Sequence, residues 1–139
     1  MEIDILKQKD LESYKELIDE CFGTSNDLEK YQKYSENTAY QIFVVKVENT
    51  IIASATQYSI DLFTFDFQPC LMLFNVAVRT DYREKQIAKD LLTHIIKNAR
   101  NEGYRSISLT CLDTAYPAHR LYESVGFKKA DSIKYALVL

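Results

Sequence analysis

The chain has 139 residues and a mass of 16.1 kDa, the size of one typical domain, which excludes a multi-domain machine. Its 47% hydrophobic and 27% charged residues, with only three Gly and two Pro, exclude collagen-like, linker-like and low-complexity classes. Seventeen Lys plus Arg against twenty Asp plus Glu leave a net charge of −3, so no global basic field calls for nucleic acid or an anionic membrane.

In chain order, Ile3 and Ile5 alternate with acids and predict a short first strand. Leu11, Tyr14, Leu17, Ile18 and Cys21 then recur at helical spacing, with Gly23 as the stop. Asn26 followed by Glu29 resembles a capping box, opening a second helix with Leu28, Tyr31 and Tyr34 on one side. The runs Ile42–Val47 and Ile51–Tyr58 read as a hairpin, and Cys70–Val78 as a further strand. Phe63, Phe65 and Phe67 alternate with Thr64 and Asp66; they extend the hairpin, wall a ligand or make a dimer contact.

The clearest helix covers residues 87–99, where Ile87, Ala88, Leu91, Leu92, Ile95, Ile96 and Ala99 share one face. Ile107, Leu109 and Cys111 alternate with Ser106, Ser108 and Thr110, a strand buried on one face that makes Cys111 a buried structural thiol. Pro117 suits the first turn of another helix carrying Ala118, Leu121, Tyr122 and Val125, and Gly126 suits its end. Lys134–Leu139 closes as a strand, either within its own sheet or exchanged with a neighbour, so a homodimer is one option. The order β-αα-βββ-α-β-α-β predicts a single α/β (α+β) domain over residues 1–139.

Three cysteines, Cys21, Cys70 and Cys111, lack C-x-x-C spacing and fit reduced thiols in the cytoplasm. The start MEIDILKQKD puts acids where a signal peptide is basic, and no apolar run approaches the ~20 residues that span a bilayer. No Cys or His cluster has metal-ligand spacing.

Two segments could carry chemistry. The strand ending Val76-Ala77-Val78 passes through residues 79–86 into the long helix, an arrangement that aims unpaired backbone N–H groups and a positive helix end at one point, as a phosphate requires. Residues 79–105 hold seven cationic and four anionic side chains, a local +3 in an acidic protein. The same charges also suit a solvated helix face. The second segment runs from Ala118 to Phe127, where Tyr122 lies on the apolar side of its helix, as a core tyrosine does.

Together the segments resemble the GNAT superfamily of acetyl-CoA-dependent N-acetyltransferases. The family pattern Q/R-x-x-G-x-G/A matches Arg83-Glu84-Lys85-Gln86-Ile87-Ala88, with Val76-x-Val78-x-x-x-Tyr82 leading in, and the run A-x-x-L-Y-E-x-x-G-F is complete from Ala118 to Phe127. The resemblance implies a mixed, mostly antiparallel sheet of six to seven strands with about four helices, splayed between the fourth and fifth strands. It implies acetyl-CoA held by backbone of residues 84–89 (Glu84, Lys85, Gln86, Ile87, Ala88, Lys89), with Arg83 adding charge and the pantetheine running along Val76, Ala77 and Val78 as an extra strand. It implies direct attack by a primary amine of a small molecule or peptide, the Val76 N–H as oxyanion donor and Tyr122 as the acid. No metal is implied. A non-catalytic acyl-CoA-binding module of the same fold is the alternative.

Two departures stand out. Gln86 replaces a glycine, so its Cβ must be tolerated by helical dihedrals, and Ala115 stands where the family often has asparagine. The general base is open between Asp113 and His119, the latter also readable as a partly exposed helix residue, while His94 falls among polar positions. Residues 1–36 hold ten acids and five lysines, which hints at a cationic amine if the early helices border the acceptor cleft, and equally suits a solvated surface.

Overall fold

The computed structural model describes residues 1–83 and 86–139. One sheet in the order β1-β2-β3-β4-β5 comprises β1 (Glu2–Ile5), β2 (Tyr40–Val47), β3 (Thr50–Ile60), β4 (Cys70–Val78) and β5 (Ile107–Ser108). The first four strands are antiparallel and β5 joins β4 in parallel. Four helices cover it: α1 (Leu11–Phe22), α2 (Leu28–Tyr34), α3 (Ile87–Asn101) and α4 (Tyr116–Ser124).

Strand alternation distributes the core between two faces. Val44, Ile51 and Ala77 meet Tyr14, Leu17 and Ile18 of α1 on one face. Phe43, Val45, Ala53 and Leu73 meet Ile87, Leu91, Leu92 and Ile95 of α3 on the other. The α3 stripe predicted from spacing is therefore the floor of the larger core, and each of its fully buried leucines contributes about 1.5–3 kcal/mol by leaving water. Gly23 ends α1 in the left-handed region at φ 64°, its N–H donating to the Asp19 carbonyl. Arg79 then ties α1 to the sheet: its Nε donates to the Ile51 carbonyl at 2.8 Å, and its guanidinium lies 3.4 Å from Glu16 and 3.9 Å from Glu20.

Several expectations change. The sheet has five strands among the described residues, not six to seven, because Lys134–Leu139 forms no strand and every residue from Lys128 onward is exposed. The fifth strand stops after Ser108, so Leu109 and Cys111 lie beyond it, and Cys111 is exposed rather than buried. The capping box is not made: α2 begins at Leu28 after Asp27, with no side-chain cap. Phe63–Phe65 forms a 3-10 turn after β3 ends at Ile60, and does not extend the hairpin. Among the described residues no helix is long and apolar enough to cross a membrane.

Candidate active site

β4 and β5 pair only through Leu71 with Ile107 and Met72 with Ser108. From Leu73 to Val78 the β4 edge facing β5 carries no partner strand among the described residues, so the sheet opens into the expected cleft. β4 is also bulged there. Phe74 pairs with Thr56 and Ala77 with Ser54, leaving Asn75 and Val76 opposite Ala55 and outside the ladder. Asn75 accordingly has φ 53°. Val76 and Val78 pack toward the α3 core, while Ala77 is buried against the α1 side.

The chain leaves β4 through a 3-10 turn, Thr80–Tyr82, and enters α3 at Gln86. Asp90 N–H makes the first helical bond, to the Gln86 carbonyl at 2.9 Å, so the N–H groups of Ile87, Ala88 and Lys89 lack intrahelical partners. Among the described residues no side chain caps them. Buried Ile87 anchors this end to the core, whereas Lys89 is exposed. Gln86 does not adopt the helical dihedrals expected of it: at φ 61° and ψ 10° it occupies the left-handed region, the conformation for which a glycine is suited. Arg83 donates from Nε to the Val78 carbonyl at 3.1 Å, and its guanidinium lies 3.9 Å from the Cys21 sulfur, so its charge sits between β4 and α1 at the mouth of the turn. Glu84 and Lys85, also expected to bind the cofactor, lie outside the described residues. A helix end with three amide donors that lack a partner among the described residues, beside a strand edge likewise without one, fits a phosphate-bearing thioester carrier. Among the described residues no group of three His, Cys, Asp or Glu comes together to hold a metal ion.

α4 presents Tyr122, half-buried on the same core as Val76 and Val78 and edge-on to Phe127 at 6.0 Å between ring centres. Burial, then the neighbouring Cys111, pushes its hydroxyl pKa above the ordinary tyrosine value, so the phenol is neutral at pH 7. His119, one turn earlier, places Nε2 2.9 Å from the Leu112 carbonyl and 3.1 Å from the Asp113 carbonyl. Both are acceptors, so Nε2 is the donor, and Nδ1 faces the Cys111 sulfur. The Cys111 sulfur lies 3.8–3.9 Å from this ring. Asp113, the other candidate base, is exposed in the loop before α4, and Ala115 precedes that helix without a side-chain cap. His94, half-buried, does not stand among polar neighbours alone: it contacts Asn98 and packs edge-on against the buried Phe43 ring.

On the opposite face of β4 lies a pocket of about 300 Å³ that sequence reasoning did not find. Tyr14, Tyr31, Tyr34, Tyr40 and Tyr58 line it, together with Asn75. Tyr14 and Tyr31 meet edge-on at 5.7 Å, and Tyr40 and Tyr58 tilt together at 5.1 Å. The Tyr31 hydroxyl is buried with no hydrogen-bond partner among the described residues, which leaves it available to a guest. Burial pushes the Tyr14 pKa up to about 12. Ten tyrosines in a chain without tryptophan were the available signal. None of the residues lining this pocket is acidic. Part of the acid excess of residues 1–36 goes instead into ion pairs with cations beyond that segment, Asp10 with Lys46 at 2.9 Å and Glu16 and Glu20 with Arg79. It gives no support to a cationic acceptor.

Comparison with known proteins agrees with this geometry. The model of the acetyltransferase (GNAT) family matches residues 11–127. "Probable N-acetyltransferase camello" of Xenopus tropicalis is 29% identical over 104 residues, covering 75% of this chain and 45% of that protein. The [ribosomal protein bS18]-alanine N-acetyltransferase of Escherichia coli is 36% identical over 58 residues, 42% of this chain and 39% of that protein. The chain thus spans less than half the length of these curated relatives. Among solved structures, the ribosomal-protein-alanine N-acetyltransferase of Brucella melitensis superposes with a TM-score of 0.86 over all of both chains at 17% identity, a likeness of fold.

Proposed function

The chain belongs to the acetyltransferase (GNAT) family, and from that premise we propose that it transfers an acetyl group from acetyl-CoA to a primary amine of a small molecule or peptide. The observation that carries the reading is the juxtaposition on one strand. The unpaired edge and bulge of β4 adjoin the uncapped start of α3, and the tyrosine pocket opens at Asn75 of the same bulge.

The amide groups of Ile87, Ala88 and Lys89 would hold the pyrophosphate, with Arg83 contributing charge and Val76, Ala77 and Val78 offering a strand edge to the pantetheine. Bound there, acetyl-CoA supplies an activated acetyl thioester. The N–H of Val76, released from the ladder by the bulge, is the backbone donor nearest the role of stabilising a developing oxyanion. Tyr122 Oη holds its proton at neutral pH and can give it to a departing thiolate. His119 at the start of α4 and Asp113 in the loop before it are the two candidates to accept a proton from the incoming ammonium. The tyrosine pocket would seat the acceptor, its amine directed at β4. The acceptors that the relatives' names give, a ribosomal-protein alanine among them, make a peptide α-amine a natural first candidate. Unpaired thiols suit a cytoplasmic setting.

Calorimetric titration with acetyl-CoA, followed by thiol release across a panel of peptide and small-molecule amines, tests the proposal. Saturable binding with release for at least one amine is expected. Binding without release from any amine indicates a non-catalytic acyl-CoA module, and no binding at millimolar acetyl-CoA refutes both readings.

A further inference from the structure

The tyrosine pocket beside the β4 bulge has a narrower chemistry than an amine site requires. Its volume, about 300 Å³, lies at the lower end of small-molecule pockets, so it suits a guest of one ring and a short chain. Tyr14 stands perpendicular to Tyr31, and Tyr58 stands perpendicular to Phe74 with 5.4 Å between ring centres. The walls therefore offer both faces and edges to a guest ring. They are also held in place, since the Tyr40 hydroxyl donates to the Tyr34 carbonyl and joins the start of β2 to the end of α2.

The polar groups of the wall have one sign. Lys30 is the single ionised side chain lining the pocket among the described residues; it is exposed and forms no ion pair there. Asn26 lines the same side with an amide. The Tyr31 hydroxyl, next in sequence to Lys30, is buried and has no hydrogen-bond partner among the described residues. A buried hydroxyl left in that state is costly, and a guest that accepts from it removes the cost. An ammonium, a phenol and an amide within residues 26–31 form a set of donors to which a carboxylate is the matching acceptor. Asn75, on β4, marks the side where transfer to an amine is placed.

Tyrosine faces attract cations, so the ammonium of an incoming amine gains from them. A second positive charge does not. A polyamine would meet Lys30 with no carboxylate on the wall to offset the repulsion.

We propose that this pocket binds a small primary amine carrying one aromatic ring and one carboxylate, and that such amines are the acceptors. The ring lies among the tyrosines, the carboxylate meets Lys30 and Tyr31, and the amine points to β4. The role of acceptor rests on the acetyltransfer reading, whereas the binding does not.

Calorimetric titration of the full chain, alone and with saturating CoA, tests the binding with phenylalanine, para-aminomethylbenzoate, phenethylamine, leucine and spermidine. At least one of the two aromatic acids should bind about tenfold more tightly than the other three amines. Tyr31→Phe removes a buried hydroxyl without a partner, so the variant should melt no lower than the parent while binding that aromatic acid about tenfold more weakly. Lys30→Gln, on an exposed side chain, should reduce the margin over phenethylamine by about threefold. Thiol release from acetyl-CoA should rank the amines in the same order. Tighter binding or faster release with spermidine, leucine or phenethylamine overturns the proposal, and such release leaves acetyltransfer standing. No binding of either aromatic acid, or equal binding to the parent and both variants, overturns it as well. An aromatic acid bound as expected, with no thiol released from any amine, supports the ligand and refutes acetyltransfer.

Discussion

Replacing Gln86 by glycine and, separately, by alanine isolates the strain at the entrance to α3. A side chain in the left-handed region costs about 1–2 kcal/mol, and Gln86 stands there at φ 61° with its side chain exposed, so removing it opens no cavity. Glycine returns about 0.4–1 kcal/mol of that through its greater freedom in the unfolded chain. The net expectation for Gln86→Gly is a stabilisation of about 0.5–1 kcal/mol, and in a domain of this length that raises Tm by about 2–4 °C. Gln86→Ala keeps the Cβ and the strain, so it should melt within about 1–2 °C of the parent. Thermal unfolding of the three proteins at pH 7 provides the assay. Calorimetry with acetyl-CoA adds a second readout, with the glycine variant binding several-fold more tightly because backbone and phosphate approach without a Cβ between them. A glycine variant that melts at or below the alanine variant refutes the argument that the left-handed conformation is strained.

Tyr122→Phe should lower kcat by about 10²–10⁴ with the acetyl-CoA Kd unchanged, as measured by thiol release and titration. The parent's activity should hold until above pH 10, since a donor must keep its proton and burial raises the Tyr122 pKa. Cys111→Ser should leave kcat within about twofold despite the neighbouring His119, as direct attack by the amine requires; a loss of two orders of magnitude with a burst of thiol would instead indicate an acyl-cysteine intermediate. Burial lifts the Tyr14 pKa to about 12 in the folded state against 10 unfolded, so the folded state holds the proton longer and stability falls as pH rises above 10, by about 2.3 kcal/mol at pH 12. Urea unfolding at pH 8 and pH 11 should reveal that decline in the parent and a smaller one in Tyr14→Phe.

What sequence reasoning could and could not reach follows from the kind of signal each element emits. The α3 stripe and the limits of β4, Cys70–Val78, were readable because periodicity reports which face is buried, and both lie against a complete layer. Alternation in Ile107–Cys111 says equally that one face is covered, but it is silent on whether the edges have neighbours, and β5 pairs only with β4 among the described residues. The same silence hid the fate of Lys134–Leu139. Cys111 was misjudged for that reason, since burial was inferred from a strand that stops three residues earlier. Gln86 was recognised as a departure from glycine but assigned ordinary helical dihedrals, because a residue type records tolerance of a conformation and not its adoption. The tyrosine pocket escaped because its walls come from α1, α2, β2, β3 and β4, so no single stretch of sequence carries the motif.

The bulge in β4 has a kinetic consequence. Asn75 faces the aromatic chamber and Val76 packs toward α3, so the two proposed compartments share a septum one residue thick. A displacement of that septum moves both walls together. Substitutions at Phe74, Asn75 or Val76 should therefore shift the Michaelis constants of donor and acceptor in concert, whereas changes at Gln86 or Tyr31, each touching a single compartment, should separate them.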